Sequence, residues 1–398
     1  LNPPRRLLMG PGPIDADPRV LRAMAAPLVG QFDPWFRALM AETMALWRHV
    51  FQTANPWTLL VDGTARAGIE AAMVSLIEPG DTVLVGVYGR FGWLKVEIAE
   101  RCGAKVEIVE TDWGTVFQPE RIEAAIKRTR PRIVAICHGD TSTTMLQPLD
   151  DIGHICRAHD ALLLVDATAS LGGNELLVDA WAIDVCTAGL QKCMAGPSGS
   201  APVTLGPRAV AAIEPRRHVE RGIATGTGPV SNRPRIASNY FDLAMIMDYW
   251  GPGALNHHTE ATSMLYAARE CARIWVEEGA TAAWSRHARA SAALRAGLTA
   301  MGLTLYGDEA HRMANVTGVV IPDGVDGERV RACLLNDFHI EIGTSFGPLK
   351  GKIWRIGTMG VNARLDPVLA TLGALEAALI TEGFKLPKGE AVQAALRV

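Results

Sequence analysis

Two short aliphatic runs, each leading to a charged side chain, constrain this chain more than any other feature. Ala161-Leu162-Leu163-Leu164-Val165 reads as a buried strand of a parallel sheet and stops at Asp166. That carboxylate is therefore expected at a strand's C-terminal end. A second run, Ile183 to Ala188, leads into Gly189-Leu190-Gln191-Lys192, after which Gly196-Pro197-Ser198-Gly199 forbids a continuing helix or strand. Lys192 is therefore expected on a tight loop. In open α/β sheets ligands bind outside the carboxyl ends of the strands, so both side chains are expected to face one crevice.

An amine and a carboxylate in one crevice suit pyridoxal phosphate. The amine forms an imine with the aldehyde, and the carboxylate keeps the pyridine nitrogen protonated so that the ring accepts electrons. The chain has eight lysines, which narrows the choice. Lys95, Lys105 and Lys127 lie in amphipathic or charged surroundings, Lys350 and Lys352 flank a glycine-rich turn, and Lys385 and Lys388 are close to the C-terminus. Lys192 alone follows an apolar strand. The plainer alternative is a snorkelling surface lysine beside a structural aspartate.

Around this stretch strands alternate with helices. Strands are expected at Thr58 to Val61, Thr82 to Val87, Val106 to Glu110, Arg132 to Cys137 and Ala201 to Leu205. The alternation predicts right-handed βαβ units, hence an α/β fold with a mostly parallel central sheet and helices on both faces. From about Ala280 a smaller α+β domain follows, with strands at Val316 to Ile321, near Ile340 and at Ile353 to Ile356. The expected division is an N-terminal arm (1–20), a large cofactor-binding domain (21–258), and an interdomain helix with the small domain (259–398).

Several loops carry candidate ligands. Asp62-Gly63-Thr64-Ala65-Arg66-Ala67-Gly68 opens a helix whose free N–H groups suit a phosphate, or simply cap the helix. Tyr88 to Gly92 is read as a loop that could lay Phe91 over a flat ring. His138 to Thr144 forms a polar cluster at the same sheet edge as Asp166 and Lys192. Gly10-Pro11-Gly12-Pro13 allows close backbone approach to a ligand, and Gln31 stands in the loop Gly30 to Pro34. Arg216 to Arg235 reads as a functional loop. Arg355 lies in an apolar strand and needs an anionic partner, either a protein carboxylate or a substrate's. The pair His257-His258 is not read as a metal site, because adjacent residues diverge on a helix and no third ligand has suitable spacing.

Composition excludes some classes. A formal net charge of −3 with no lysine- or arginine-rich patch argues against nucleic acid, and no apolar run of membrane-spanning length occurs. The seven cysteines are scattered without metal-like pairs, which fits buried thiols in a reducing cytosol.

With these motifs in view the chain resembles class V, fold type I aminotransferases of the alanine–glyoxylate and serine–glyoxylate group over nearly its full length. The resemblance rests on Gly10-Pro11-Gly12-Pro13, His138-Gly139-Asp140-Thr141-Ser142-Thr143 with Gln147-Pro148-Leu149, Leu164-Val165-Asp166, Gln191-Lys192, His257-His258-Thr259 and Arg355-Ile356-Gly357. It implies pyridoxal 5'-phosphate linked to Lys192, with Asp166 on the pyridinium, Thr141 near the phenolic oxygen and Phe91 stacked on the ring. It implies a phosphate held by Thr64, Ala65, Gln191 and, from a second subunit, Thr259, a substrate carboxylate on Arg355, and a homodimer with shared sites. That group carries tyrosine before its His-His-Thr and histidine in the phosphate loop, where this chain has Asn256 and Arg66. Gln31 with Asn256 is similar to the pair that marks the ureidoglycine–glyoxylate branch, which implies ureidoglycine as donor, glyoxylate as acceptor, and oxalurate and glycine as products. A ureido group offers a carbonyl acceptor and N–H donors, and a primary amide offers the complementary set.

Overall fold

The computed structural model describes residues 1–223 and 233–398. The chain opens with β1 (Leu7–Leu8), α1 (Pro18–Met24) and α2 (Pro34–Phe51), the two helices N-capped by Asp17 and Asp33. Then β2 (Trp57–Gly63), α3 (Ala65–Leu76), β3 (Thr82–Val87), α4 (Arg90–Arg101), β4 (Lys105–Glu110), α5 (Pro119–Thr129) and β5 (Ile133–Cys137) alternate as their apolar periods dictate. A small hairpin, β6 (Gly139–Asp140) with β7 (Met145–Leu146), precedes α6 (Asp150–Ala158), β8 (Leu162–Asp166), β9 (Val185–Thr187), β10 (Gly199–Leu205) and α7 (Pro207–Ile213).

The central sheet has seven strands in the order β2-β10-β9-β8-β5-β3-β4. Strands β4, β3, β5, β8 and β9 pair in parallel, and all five residues of both β5 and β8 are buried, as in a sheet covered on both faces. β10 runs antiparallel to both β2 and β9. The connection from β9 to β10, which carries Lys192, has no helix to carry the chain across the sheet, so the strand returns in the opposite direction.

After α8 (Leu243–Trp250), α9 (Thr262–Glu278) and α10 (Ala280–Ala300) come β11 (Val316–Val320), α11 (Gly327–Asp337), β12 (Ile340–Glu341), β13 (Gly343–Thr344), β14 (Ile353–Gly357), α12 (Leu365–Thr381) and α13 (Glu390–Leu396). A second sheet, β11-β14-β13, packs over its own apolar cluster, including Leu294, Leu298, Trp354, Ile356, Leu372 and Leu375. β1 pairs in parallel with β12, and Met9 enters that second core, so the N-terminal segment is stitched to the C-terminal half. No helix among the described residues is long and apolar enough to cross a membrane.

The segment Arg216 to Arg235 is described only at its ends, and 224–232 lie outside the described residues. Arg216, read as part of that loop, is instead buried. It donates to the carbonyls of Ser75, Ile77, Pro234 and Arg235, holding the two ends of the segment against α3.

Candidate active site

The C-terminal ends of β5 and β8, the loop after β9 and the start of α3 meet at one cavity of about 210 Å³. Thr64, Ala65, Arg66, Phe91, Thr141, Asp166, Gln191 and Lys192 all line it, together with Thr168 and Ala169. Lys192 sits on an irregular turn closed by Ala195 N–H to Lys192 O and Gly196 N–H to Leu190 O, at 3.0 and 2.9 Å. Its amine donates to the carbonyl of Pro11. Gly12 explains why that approach is possible: at φ +100° a Cβ there would lie 2.3 Å from Lys192 Nζ. Burial, then the nearby Arg355 charge, lowers the Lys192 pKa to about 8 from an ordinary 10.5, which frees much of the amine as nucleophile at mildly alkaline pH.

Asp166 ends β8 and is 5% exposed. Its Oδ1 accepts from Thr168 N–H at 3.0 Å and its Oδ2 from Lys95 Nζ at 2.9 Å. Burial pushes this carboxyl up, but the Lys95 charge and the Thr168 N–H hydrogen bond help to outweigh it and hold Asp166 ionised, below its ordinary value. Lys95 is the main correction to the sequence reading. The helix that carries it is amphipathic as expected, but Lys95 stands on its buried face, fully removed from water, with its ammonium on Asp166. The signal was present in α4, where Gly92, Lys95, Val96 and Ala99 share the buried stripe.

Phe91 also differs from expectation. Residues 90–92 belong to the first turn of α4 rather than to a loop. The helix starts there because Asp140 Oδ2 accepts from Phe91 N–H and Ser142 Oγ from Arg90 N–H, both at 2.9 Å, contacts some fifty residues distant that no local pattern announces.

Arg355 on β14 is buried, donating to Thr344 O at 2.6 Å and Thr141 O at 2.8 Å with its guanidinium 5.0 Å from the Phe346 ring centroid. Burial pulls its pKa down to about 10. Among the described residues Arg355 is in no direct ion pair; the carboxylate whose charge acts on it is Asp140, whose oxygens already accept from Ser142 and Phe91 N–H.

Gln31, Asn256 and Thr259 are not in the Lys192 cavity. Gln31 Nε2 donates to Asn256 Oδ1 at 3.1 Å and Gln31 Oε1 accepts from Glu260 N–H at 2.9 Å, so the two amides meet on a separate patch where Asn256 and Thr259 are exposed. The adjacent histidines do not diverge as expected. They precede α9 in irregular backbone, and their Nδ1 atoms are 2.7 Å apart. His258 Nε2 also lies 3.2 Å from Asp62 and 4.0 Å from Glu260, a grouping that sequence spacing did not reveal. We assign no ion to it. Burial, then the Asp62 charge, pushes the Glu260 carboxyl well up, and Asp62 Oδ2 already accepts from Ala261 N–H at 2.9 Å.

Comparison with known proteins fits this geometry. A family model described as aminotransferase class-V matches residues 29–348. The chain belongs to the class V aminotransferases. It is 54% identical over 398 aligned residues, 99% of its length and 95% of the relative's, to the (S)-ureidoglycine–glyoxylate transaminase of Bacillus subtilis. It is 35% identical to an alanine–glyoxylate aminotransferase of Drosophila melanogaster, over 94% of this chain and 93% of that one. The crystal structure of the Bacillus subtilis ureidoglycine–glyoxylate aminotransferase superposes with a TM-score of 0.95 at 52% identity, covering 100% of this chain and 98% of that one. An alanine–glyoxylate aminotransferase from Nostoc sp. superposes at 0.89 with 41% identity, covering 95% and 96%.

Class V aminotransferases use pyridoxal 5'-phosphate, and the cavity fits it. Thr168 Oγ1 and Gln191 Oε1 are buried at its wall without hydrogen-bond partners, and Thr64 begins α3 without a side-chain cap on the helix's first N–H groups. A polar, phosphorylated ring would use all three.

Proposed function

We propose that this class V aminotransferase transfers the amino group of (S)-ureidoglycine to glyoxylate, giving oxalurate and glycine. The observation that carries the reading is the full-length 54% identity to the Bacillus subtilis transaminase. The adjoining amides of Gln31 and Asn256 support it, because a ureido group offers the acceptor and N–H donors that primary amides complement, and the methyl of alanine offers neither.

When bound, pyridoxal phosphate supplies an aldehyde that takes up the amino group and a ring that draws electron density from the substrate's Cα. Lys192 would anchor the cofactor, and its freed Nζ would take the proton from the substrate's Cα, a task its lowered pKa of about 8 suits. Asp166 would keep the ring nitrogen protonated, and Phe91 and Thr141, which line the same cavity, would hold the ring. Thr64, Ala65, Arg66 and Gln191 hold the phosphate at the start of α3. Arg355 fixes the carboxylate common to donor and acceptor, so one pocket serves both half-reactions, while the missing Cβ at Gly12 leaves room for Lys192 and a substrate beside it.

Gln31, Asn256 and Thr259 lie off their own chain's cavity, so in this reading they serve a neighbouring subunit's site, Thr259 its phosphate and the amides its ureido group. The exposed Leu28, Phe32 and Trp35 beside Gln31, at 71, 57 and 55%, suit burial in that homodimer. All seven cysteines are free, which suits a reducing cytosolic setting.

The test is a single-turnover spectrum of the holoenzyme mixed with fresh ureidoglycine and, separately, with alanine and serine. Fast conversion of the cofactor to its amine form by ureidoglycine alone supports the reading. Equal or faster conversion by alanine or serine would place the chain with the general glyoxylate aminotransferases.

A further inference from the structure

Lys95 has no part in the reaction as described, yet its surroundings are built around its charge. It is fully buried, and its ammonium donates to Asp166 Oδ2 at 2.9 Å, to Cys137 Sγ at 2.9 Å and to Phe91 O at 3.2 Å. Three donors are therefore spent on three acceptors. Cys137 gives no counter-charge, since burial keeps it a thiol. The other carboxylate nearby, Asp140, spends its oxygens on Ser142 and on Phe91 N–H. Asp166 is thus the anion that makes a buried ammonium tolerable here. Lys95 does not line the cavity, so any effect on a ligand must pass through Asp166.

We propose that Lys95 is a positioning residue that sets where the proton shared by Asp166 and the cofactor's ring nitrogen resides, driving it onto the ring. The inference rests on the assignment of Asp166 to that nitrogen. One proton has two sites, and the carboxyl site is in direct contact with the Lys95 ammonium. Moving the proton to the ring carries positive charge away from another positive charge, so Lys95 favours the protonated ring over the neutral one. Lys95 also fixes the carboxylate's orientation. With Oδ2 on Lys95 and Oδ1 on Thr168 N–H, two of about four lone-pair sites remain for a third donor. A pair serving only the fold would not need to stand at the carboxylate that closes β8 against the cavity.

The experiment loads apoenzyme with pyridoxal phosphate labelled with ¹⁵N in the ring and records the nitrogen chemical shift, which separates pyridinium from pyridine. Wild type is expected at the pyridinium position. Lys95→Met and Lys95→Gln, both neutral, are expected to move toward the pyridine value, and Lys95→Arg to stay with wild type. Lys95→Gln keeps an N–H donor for Asp166, so it carries the test should Lys95→Met fail to fold, and thermal unfolding of each apoprotein reports that. Neutral variants that fold, load cofactor and keep the pyridinium shift would overturn the proposal. So would an arginine variant that shifts as glutamine does, because packing rather than charge would then be responsible. Loss of folding or loading in both neutral variants would overturn it too, leaving Lys95 a folding element. A pyridine-like ring in wild type and in Asp166→Asn alike would instead remove the Asp166 assignment beneath it.

Discussion

Gly12→Ala tests how the N-terminal segment and Lys192 fit together. The new Cβ would lie 2.3 Å from Lys192 Nζ, 2.4 Å from Cδ and 2.8 Å from Cε. Ordinary carbon contacts are about 3.5–4.0 Å, so the lysine must retreat by more than ~1 Å. Retreat takes Nζ away from Pro11 O, its hydrogen-bond acceptor. Alanine at φ +100° adds strain on the order of 1–3 kcal/mol, which a domain with two apolar cores should survive. The chemistry should suffer more than the fold, because a ~1 Å misplacement can cost ~10²-fold in rate. Expected, then, is an apoprotein that still unfolds cooperatively on heating, borohydride trapping of the cofactor on Lys192 that is slower or incomplete, and a single-turnover rate about 100-fold down. A variant that traps cofactor and turns over at the wild-type rate would refute the packing argument, since the amine could not then occupy the space beside Gly12.

Other consequences can be checked separately. Arg355→Met should raise KM for both ureidoglycine and glyoxylate by about 10- to 100-fold, the equivalent of a charge-assisted hydrogen bond of ~1.5–3 kcal/mol, with steady-state kinetics on each substrate as the measure. An effect on one substrate alone would contradict a shared carboxylate site. The double variant Gln31→Ala with Asn256→Ala should lower kcat/KM for ureidoglycine and spare that for alanine; unchanged ureidoglycine activity would remove the ureido assignment. For Lys192 the folded pKa is depressed, so between about 8 and 10.5 the unfolded chain holds a proton that the folded chain lacks, and stability rises with pH across that window. The apo Lys192→Met variant should therefore exceed apo wild type in Tm most clearly below pH 8, with the advantage shrinking toward pH 10.5.

Much of the fold was legible because it rests on local patterns. The aliphatic runs at 82–87 and 162–165 became β3 and the body of β8, and Asp166, on which the second ends, lines the cavity. What local patterns could not show depends on contacts between distant segments. The start of α4 is made by Asp140 and Ser142, and the ring contact of His257 with His258 by a loop that is not helical. The helix at 243–250, capped by Asp242, and the last helix at 390–396 were not anticipated either. Gln31 and Asn256 are 225 positions apart in the chain; the family resemblance paired them, but no local pattern shows that their amides bond to each other.

The two lysines of the site show why residue type alone underdetermines chemistry. Both are aliphatic stems ending in an amine, and both are removed from water, which by itself favours the neutral form. They diverge through their neighbours. Lys192 meets a carbonyl and lies within reach of the Arg355 charge, so burial wins and its pKa falls to about 8. Lys95 meets the Asp166 carboxylate, and that attraction outweighs burial and holds the proton more firmly than in water. One amine is thereby prepared to react and the other to remain a cation. The sequence distinguished Lys192 by the loop it stands on, but Lys95 was hidden in a helical stripe whose other members are small or apolar. A lysine in such a stripe needs an anion inside the protein, and in this chain the anion it finds is the carboxylate proposed to hold the cofactor's ring nitrogen.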